Sequence, residues 1–547
     1  MLARYSGRAF FKRIADKTCQ AVFASSLYKL TLWGPTPKSI EFLPEAIWKG
    51  DTYNGDDIIA GRFTFERSAP LVSIDPWAVE TDDPAQLEHL HSFHWLRDLA
   101  EAEDQIAARS RVQTLIEDWI SNNEIWSPLP WRPDILGERI TLWFEYYDQL
   151  FATGGNSFRR LVVKSLSRQL KHLNRVAHIE TIGIAKLTAL KGLICGAACL
   201  PGGGKRLPSL YKTLEREIKR HILDDGSYIN RNPSSHHTAL RRLVEIRSII
   251  KGRQLPTNNA LEETIQKMAP VLRFFRHPDG GLSQFNGSFP GNTQCIDRTL
   301  IRAAARTLPP RILPRSRYNR LLVGKILVLF DIGDPPPVGY DDNAHAGTLS
   351  IEVSIGRERL FVNCGAIIGI ENSWKAVQRT TAAHSTLTIE DRNSSELLAS
   401  GGLGSRRARV NANYEENDDY FISSARHDGY CLPFSTVHSR TLRLAKHSER
   451  LEGVDELTCP DNRRFNIRFH LHPQVSASVS HSGKSAILRL PKGGGWQLDC
   501  NGGNLRLDES IYLDGVRAKR SVQIVIEGDT KQEKTVISWV LHSAVVK

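Results

Sequence analysis

The sequence predicts a protein of two parts, a helical first half followed by an antiparallel β-sandwich. Three observations predict this fold class. The chain has 547 residues, which is too long for one ordinary hydrophobic core. Apolar side chains recur at helical spacing from about residue 85 to about residue 275. After Phe330 apolar and polar residues alternate, which is the pattern of half-buried strands.

Stripes of apolar residues indicate the helical half, and each stripe is about as wide as one helix-packing face. The stripes are Val162, Val163, Leu166, Leu170 and Leu173, then Leu210, Leu214 and Ile218, and then Leu240, Leu243, Val244 and Ile250. Turn signals separate them, among them Pro-Leu-Pro at 128–130 and Pro-Gly-Gly-Gly at 201–204. Such helices joined by short loops indicate helical hairpins, arranged either as a bundle or as a closed ring.

Alternating segments indicate the sandwich half, with strands expected over Leu349–Ile355, Phe465–Leu471 and Val522–Ile526. The stretch from Arg298 to Phe330 contains no acidic residue. It is either a solvated basic linker or a cationic wall beside a groove for a polyanion. We predict an N-terminal extension with the first helices over residues 1–80, a helical domain over 81–310 and the sandwich over 311–547.

Composition and charge restrict the class of partner. With 41% hydrophobic and 24% charged residues, the chain is typical of a globular protein. A formal net charge of +12 favours a polyanion partner, although a plain basic surface explains it equally well. No helix-turn-helix, zinc-finger or ribonucleoprotein signature is present, so we expect no nucleic acid.

The N-terminus and the most apolar segment bear on membrane association. Residues 1–17 mix basic and apolar residues without a clean apolar core or cleavage site, so we expect an amphipathic helix there. The longest apolar stretch, Ile182 to Leu200, is interrupted by Lys186 and Lys191. This pattern favours a buried helix, and we expect no transmembrane segment.

A first group of residues that could do chemistry is His345, Asn363 and His384, all near predicted strand ends. Two imidazoles and a carboxylate would be a familiar zinc ligand set. Here the middle position is an amide, which is a much weaker ligand. The three residues are therefore either a degraded Zn²⁺ site or plain hydrogen-bonding residues.

A second group lies in the loop at 224–237, between two predicted helices. Its candidates are Tyr228, Arg231, Asn232 and His236. These residue types could abstract a proton beside a carboxylate, which makes the loop a candidate active-site loop. The other interpretation is a helix start with Ser234 or Ser235 as the N-cap.

Two further groups complete the candidates. Arg276 and His277 stand beside the turn Asp279-Gly280-Gly281 and either bind an anion or cover the surface. His470 and His472 share one face of a predicted strand, where a structural or solvated role competes with catalysis. No P-loop, dinucleotide fingerprint, G-x-S-x-G or H-E-x-x-H motif is present.

Several short blocks together resemble the heparinase II/III-like polysaccharide lyases. The blocks are Asp225-Gly226 with Asn232-Pro233, Asp279-Gly280-Gly281, Ala344-His345-Ala346 and Ala383-His384-Ser385-Thr386, and they fall in the family's order. The resemblance implies an incomplete α/α toroid followed by an antiparallel β-sandwich. It also implies β-elimination on an acidic, uronate-containing polysaccharide, and a place in the cell envelope or periplasm. Because no export signal is recognisable, a cytoplasmic location stays open.

The resemblance also implies roles for single residues. Asn232 or His236 would neutralise the uronate carboxylate, while His345 and His384 would be base or metal ligands. Tyr228 could protonate the leaving oxygen, and Arg231, Arg276 and His277 could bind the substrate.

The chain also departs from the family's pattern. Asn343 and Gly347 stand where the family often has a histidine and an aspartate, and Phe285 stands near an expected tyrosine. The alternatives to a lyase are therefore a glycan-binding or envelope-assembly protein of the same fold, and a glycoside hydrolase using Asp224, Asp225 or Asp279.

Overall fold

The computed structural model describes residues 20–65, 68–79, 81, 83–177, 182–367, 373–492 and 494–544. The chain forms two compact units, described separately below. The first unit comprises Met1–Lys219 and Arg241–Glu262, and the second comprises Arg220–Leu240 and Glu263–Lys547. The predicted domain boundary near residue 310 falls inside the second unit. The amphipathic helix predicted for residues 1–17 lies outside the described residues.

Helices dominate the first half of the described chain. They are α1 (Ser26–Thr31), α2 (Thr52–Ile59), α3 (Pro84–Ser92), α4 (Leu96–Leu99), α5 (Gln105–Asn122), α6 (Pro133–Glu145), α7 (Asn156–Val176), α8 (Gly183–Cys199), α9 (Leu207–His221), α10 (Pro233–Gly252), α11 (Asn259–Phe274) and α12 (Thr293–Ala303), with α13 (Ser373–Val377) and α14 (Cys431–Phe434) among the strands. A π-helical turn spans Tyr147–Phe151, and 3₁₀ turns span Gly203–Arg206 and Thr381–Ala383. The predicted apolar stripes lie on α7, α9 and α10.

The apolar stretch at 182–200 forms α8, and its two lysines are buried with it. Lys191 is 1% exposed, and its Nζ donates to Glu138 Oε2 at 2.8 Å and to Glu245 Oε2 at 2.9 Å. Arg242 also pairs with both carboxylates. Lys186 donates to the carbonyl of Ala177, while Lys191 and Arg242 pair with carboxylates, so the helix can pass through the interior of the first unit. No described helix is long and apolar enough to span a bilayer.

Strands dominate the second unit. They are β3 (Ile312–Leu313), β4 (Tyr318–Val323), β5 (Ile326–Asp331), β6 (Ile351–Ile355), β7 (Glu358–Val362), β8 (Gly365–Ile367), β9 (Leu387–Ile389), β10 (Val410–Glu416), β11 (Tyr420–Tyr430), β12 (Thr436–Ala445), β13 (Arg450–Cys459), β14 (Arg464–Leu471), β15 (Ser476–Val479), β16 (Ser485–Arg489), β17 (Gly495–Asn501), β18 (Asn504–Gly515), β19 (Ala518–Asp529) and β20 (Glu533–Ser543). The hairpin β1 (Arg62–Phe65) and β2 (Ser68–Val72) belongs to the first unit.

The strands of the second unit form two large sheets. One has the order β10-β11-β12-β13-β20-β17-β16-β15, and the other has β3-β4-β5-β6-β7-β14-β19-β18-β8 with β9 pairing β14. Neighbouring strands are antiparallel except β18 and β8. A single apolar cluster takes Val328 and Ile467 from one sheet and Leu442 and Trp539 from the other. The two sheets therefore share one core, which is the predicted sandwich.

Candidate functional site

The site is built around His345, which lies in the loop that leads into β6. Arg379 holds this loop from both sides of the histidine. Its Nε donates to the carbonyl of Ala344 at 2.9 Å, and its own carbonyl accepts from the backbone N–H of Ala346 at 2.8 Å. With both neighbours fixed, the ring of His345 has a defined position.

The ring of His345 meets the ring of His384, and the hydrogen bonds assign the protons of both. Nδ1 of His384 lies 2.7 Å from the carbonyl oxygen of Thr380, so it must carry a proton and donate. Nε2 of His384 therefore has a lone pair, which accepts from Nδ1 of His345 at 3.1 Å. It follows that Nε2 of His345 carries a lone pair.

Both imidazoles are held in the neutral state. Burial lowers the pKa of His345 well below its ordinary value, and the neighbouring His384 and Arg379 lower it further. Burial likewise lowers the pKa of His384 to about 4. His345 Nε2 therefore has a lone pair at neutral pH, but the same burial makes it a weak base, because it disfavours the protonated ring.

The lone pair of His345 faces a small space beside Gly287. A Cβ atom added to Gly287 would lie 3.2 Å from His345 Nε2 and 3.6 Å from Asn232 Nδ2. It would also lie 3.1 Å from the carbonyl oxygen of Asn343. The absence of a side chain at Gly287, whose φ is +80°, keeps this space open between an imidazole and an amide.

Asn232 enters this space from the start of α10. Its Oδ1 accepts from the backbone N–H of Ser235 at 2.8 Å, so Asn232 caps the helix in place of the two serines considered for that role. Pro233 follows as the first helical residue. Nδ2 of Asn232 donates one hydrogen bond, to the carbonyl of Asn286 at 2.7 Å. An amide nitrogen has two protons, so a second donor remains for a ligand.

Asn286 completes the wall of the space. Its Nδ2 donates to the hydroxyl of Tyr318 at 2.9 Å, and its Oδ1 lies 3.4 Å from the backbone N of His345. Asn286 and Arg231 both adopt left-handed backbone conformations, with φ of 50° and 57°. Non-glycine residues held this way concentrate at functional sites.

Arg231 lies near this space with its charge already satisfied. It forms an ion pair with Asp331, and its Nε donates to the carbonyl of Ser316 at 2.7 Å. Its guanidinium also stacks on Tyr318, 4.4 Å from the ring centroid. The predicted contact with substrate stays a prediction, and the visible role of Arg231 is to fix the loop that carries Asn232.

His236 and Tyr228 are both buried. Nε2 of His236 donates to the carbonyl of Met268 at 2.9 Å, and burial lowers the pKa of this histidine to about 4. Tyr228 is 5% exposed and its ring stacks on His221 with centroids 6.2 Å apart. Their predicted roles as carboxylate neutraliser and acid have no supporting contact with His345 among the described residues.

Arg276 and His277 are held in other networks. Arg276 pairs with Asp297 at 2.6 Å and donates to the carbonyl of Gly280 at 2.8 Å. His277 is 2% exposed, with its ring nitrogens 2.6 Å from Ser354 Oγ and 2.7 Å from Glu352 Oε2. Their predicted substrate contacts stay predictions, and the contacts seen are structural.

Asn363, the third predicted metal ligand, uses both ends of its amide inside the protein. Its Oδ1 accepts from the backbone N–H of Ser385 at 3.0 Å, and its Nδ2 donates to Glu352 Oε1 at 3.0 Å. In the described part of the chain, no group of three or more His, Cys, Asp or Glu side chains is arranged to hold a metal ion. The residues present therefore do not fit the expected Zn²⁺ site, and two imidazoles alone are left for it.

Three residues of the site were not among the candidates from the sequence: Asn286, Gly287 and Arg379. Asn286-Gly287 is an Asn-Gly pair, which is a strong turn signal and could have drawn attention to this position. Nothing in the local sequence of Arg379 signals its role, since its partners Leu398 and Gly402 lie some twenty residues away along the chain.

The arrangement can bind an anion and accept a proton. Asn232 offers an amide N–H, and His345 offers a basic nitrogen across the same space. A sugar acid placed there would meet a hydrogen-bond donor for its carboxylate and a base for an adjacent C–H.

Comparison with known proteins agrees with the fold. Residues 305–540 match the family described as heparinase II/III-like, C-terminal. A curated relative, FtsZ-localized protein C of Caulobacter vibrioides (strain NA1000 / CB15N), is 28% identical over 571 residues, with 99% of this chain and 97% of the relative covered.

Two solved structures extend the likeness to almost the whole chain. Heparinase III has a TM-score of 0.74 at 13% identity, with 95% of this chain and 89% of that chain covered. Heparan sulfate lyase HepC from Pedobacter heparinus has a TM-score of 0.63 at 15% identity, with 94% and 87% covered. The predicted fold class, an incomplete α/α toroid followed by an antiparallel β-sandwich, is confirmed.

Proposed function

We propose that the chain, whose residues 305–540 match the family described as heparinase II/III-like, C-terminal, cleaves an acidic polysaccharide by β-elimination beside a uronate. His345 is the base in this proposal, and Asn232 binds the carboxylate. The single observation that carries it is the free lone pair on His345 Nε2 facing the amide of Asn232 across Gly287. No step of the proposed reaction requires a metal ion, and the described residues offer two imidazoles without a third ligand of the expected set.

The proposed reaction moves one proton and breaks one C–O bond. A hydrogen bond from Asn232 Nδ2 to the uronate carboxylate stabilises the negative charge that develops when the C5 proton leaves. His345 Nε2 takes that proton, the C4–O bond breaks, and a C4–C5 double bond forms. The protonated His345 can return the proton to the leaving oxygen when proton and oxygen lie on the same face of the sugar.

The test is digestion of a panel of uronate polymers by the purified full chain. Elimination creates an unsaturated uronate that absorbs in the near ultraviolet, so absorbance should rise with at least one polymer and each cleavage should add one double bond. Binding to these polymers with no rise in absorbance would contradict the lyase proposal.

A second candidate function is glycan binding without cleavage, and Phe285 favours it. Phe285 stands near the place where the family resemblance implies a tyrosine, and a phenyl ring has no proton to donate or site to accept one. The 28% identical relative is named for localisation with FtsZ, not for a reaction. Saturable binding of a uronate polymer, lost in Asn232→Ala and unaccompanied by new double bonds, would establish this function.

A cell-envelope location is part of both candidate functions, because acidic polysaccharides are found there. A fluorescent fusion to the C-terminus of the full chain tests it by microscopy. Signal along the cell periphery or at the division site is the expected result, and uniform signal throughout the cell would contradict it.

A further inference from the structure

We propose that Arg440 is a positioning residue that sets the geometry of the His345–His384 pair from inside the sandwich. The inference rests on the proposed function in so far as that pair is the base of the site. Arg440 lies on β12 and is completely buried. The sheet that contains β12 faces the sheet of β6 and β9, the strands that follow His345 and His384.

The guanidinium of Arg440 is anchored by Asp455 on β13. Nε donates to Asp455 Oδ1 at 2.8 Å, and Nη2 donates to Oδ2 at 3.2 Å. Asp455 also accepts from Trp539 Nε1 at 3.0 Å. Two parallel hydrogen bonds to one carboxylate fix the plane of the guanidinium, which a single point charge would not do.

A chain of histidines keeps Asp455 in place as an acceptor. The backbone N–H of Gly429 donates to His427 Nδ1 at 3.1 Å, so His427 carries its proton on Nε2 and gives it to His438 Nδ1 at 3.2 Å. His438 then donates through Nε2 to Asp455 at 2.7 Å. Burial alone would raise the pKa of Asp455, but Arg440 and His438 hold it well below its usual range.

The remaining nitrogen of Arg440 reaches the histidine site. Nη1 donates to the carbonyl of Leu349 at 2.9 Å and to the carbonyl of Ser385 at 3.0 Å. Ser385 directly follows His384, and Leu349 lies four residues after His345. One buried nitrogen therefore ties together the two chain segments that carry the imidazoles.

The backbone at these two points needs such a restraint. Leu349 has a φ of +59°, a left-handed conformation that is strained for a residue with a Cβ atom. The carbonyl of Ser385 also accepts from the backbone N–H of Ile351, at 3.2 Å. Without Arg440 the two segments keep direct hydrogen bonds, among them Thr386 Oγ1 to the carbonyl of Thr348 at 2.9 Å. They lose the bonds that set the positions of the Leu349 and Ser385 carbonyls, so the 3.1 Å contact between the imidazoles should lengthen.

Stability is a weak reason to keep such a cluster in a core, because apolar residues of similar volume often replace a buried ion pair with no loss of stability. A guanidinium that reaches two carbonyls from the opposite sheet is suited to fixing the relative position of the segments that carry them. The role is distinct from that of Arg379, which holds the loop of His345 through the carbonyl of Ala344.

The test compares Arg440→Lys with Arg443→Lys, a matched control on the same strand whose side chain is exposed. Lysine keeps the positive charge beside Asp455, but its three N–H donors sit on a single nitrogen and cannot reproduce the planar fork that spans the carboxylate and both carbonyls. Histidine-selective ¹⁵N labelling of the full chain reports which ring nitrogen carries the proton in each imidazole. Signals of His345 and His384 are assigned by their loss in His345→Gln and His384→Gln.

In the native protein His345 and His384 should both appear as Nδ1–H tautomers. Arg440→Lys should convert at least one of these histidines to a mixture of tautomers, and it should lower any elimination rate tenfold or more. Arg443→Lys should change neither the tautomers nor the rate. Unaltered imidazole signals in Arg440→Lys would overturn the proposal, as would equal changes in both variants. If Arg440→Lys does not fold, Asp455→Asn gives the same comparison, because it weakens the anchor while keeping its shape.

Failure of this inference is distinguishable from failure of the proposed function. The tautomer signals are read without substrate, so they decide the role of Arg440 even if the native protein cleaves no polymer. Absence of cleavage together with intact Nδ1–H signals refutes the lyase proposal alone.

Discussion

At the scale of single residues, the chemistry of the site depends on which donors and acceptors of each side chain already form hydrogen bonds within the protein. His345 is a free base only because Thr380 fixes the tautomer of His384, and His384 in turn fixes that of His345. Asn232 uses its oxygen to cap α10 and one amide proton to bind Asn286. The guanidinium of Arg231 and the amide of Asn363 are instead held by contacts within the protein. This distinguishes them from His345 and Asn232, which border the space beside Gly287.

The Gly287→Ala variant should fill this space, because the added methyl group would press on the carbonyl of Asn343 and on the ring of His345. Its methyl group would lie 3.2 Å from His345 Nε2, and a positive φ adds about 1 kcal/mol of strain. We expect loss of polymer binding and a destabilisation of about 1–2 kcal/mol in urea unfolding. Gly324→Ala is the control, because Gly324 also has a positive φ but no atom within 4 Å of an added Cβ. Equal loss of binding in both variants would contradict the proposed site.

At the scale of elements, two features join distant parts of the chain. The turn Asp279-Gly280-Gly281 is tied to β7 by Asp279, whose carboxylate accepts from Arg359 Nε at 2.6 Å and from the backbone N–H of Gly281 at 2.8 Å. In the first unit, Lys191 of α8 joins Glu138 of α6 and Glu245 of α10.

Asp279→Asn should make the free energy of unfolding less dependent on pH between about pH 4 and pH 2. Burial alone would raise the pKa of Asp279, but Arg359 lowers it to about 2. The ionised carboxylate therefore stabilises the native protein above pH 4, and this contribution is lost as pH falls toward 2. We expect the native protein to be more stable than the variant at pH 7, with the difference shrinking to near zero at pH 2 in urea titrations. A constant difference across this range would show that the ion pair is not the cause.

Lys191→Met should destabilise the first unit strongly. The substitution leaves the buried carboxylates of Glu138 and Glu245 with one cation fewer between them, which typically costs about 3–5 kcal/mol. Lys164→Met on α7 is the control, because Lys164 is exposed. Urea unfolding followed by tryptophan fluorescence measures the free energy of unfolding of each variant. If Lys191→Met loses no more stability than Lys164→Met, the assigned role of Lys191 is contradicted.

The sequence allowed the elements to be predicted well where periodicity was long and uninterrupted. Helices α7, α9 and α10 and strands β6, β14 and β19 lie where the apolar spacing places them. The first part of the region with helical spacing, residues 87–99, was less informative, because Phe93 adopts a φ of 62° and divides it into α3 and α4. A single left-handed residue ends a helix without changing its apolar pattern.

The site could be predicted only in part, for a physical reason. His345, His384 and Asn232 are residue types that carry chemistry, so the sequence pointed to them. Whether a given amide or guanidinium is free depends on contacts between residues far apart along the chain. Arg231 pairs with Asp331 and Arg379 holds Ala344, and neither pairing leaves a mark on local sequence.

At the scale of the whole molecule, the net charge of +12 is compatible with an acidic polymer but does not locate its site. Several arginines of the acid-free segment after Arg298 are paired: Arg311 with Glu416, Arg315 with Asp224 and Arg317 with Asp334. The segment also contains β3, β4 and β5, so it is part of the sandwich and not a linker. In the proposed function, the sugar acid is therefore placed in the small polar space beside Gly287 and not on this segment.

The most direct test of the account is the initial rate of double-bond formation on a cleaved uronate polymer, measured for the native protein, His345→Gln and His447→Gln. Glutamine keeps a hydrogen-bonding side chain but cannot take a proton, and loss of a general base typically lowers a rate by about 10²–10⁴. The account predicts at least a 100-fold lower rate for His345→Gln and an unchanged rate for His447→Gln, whose side chain is exposed. A folded His345→Gln variant that cleaves the polymer as fast as the native protein would contradict it.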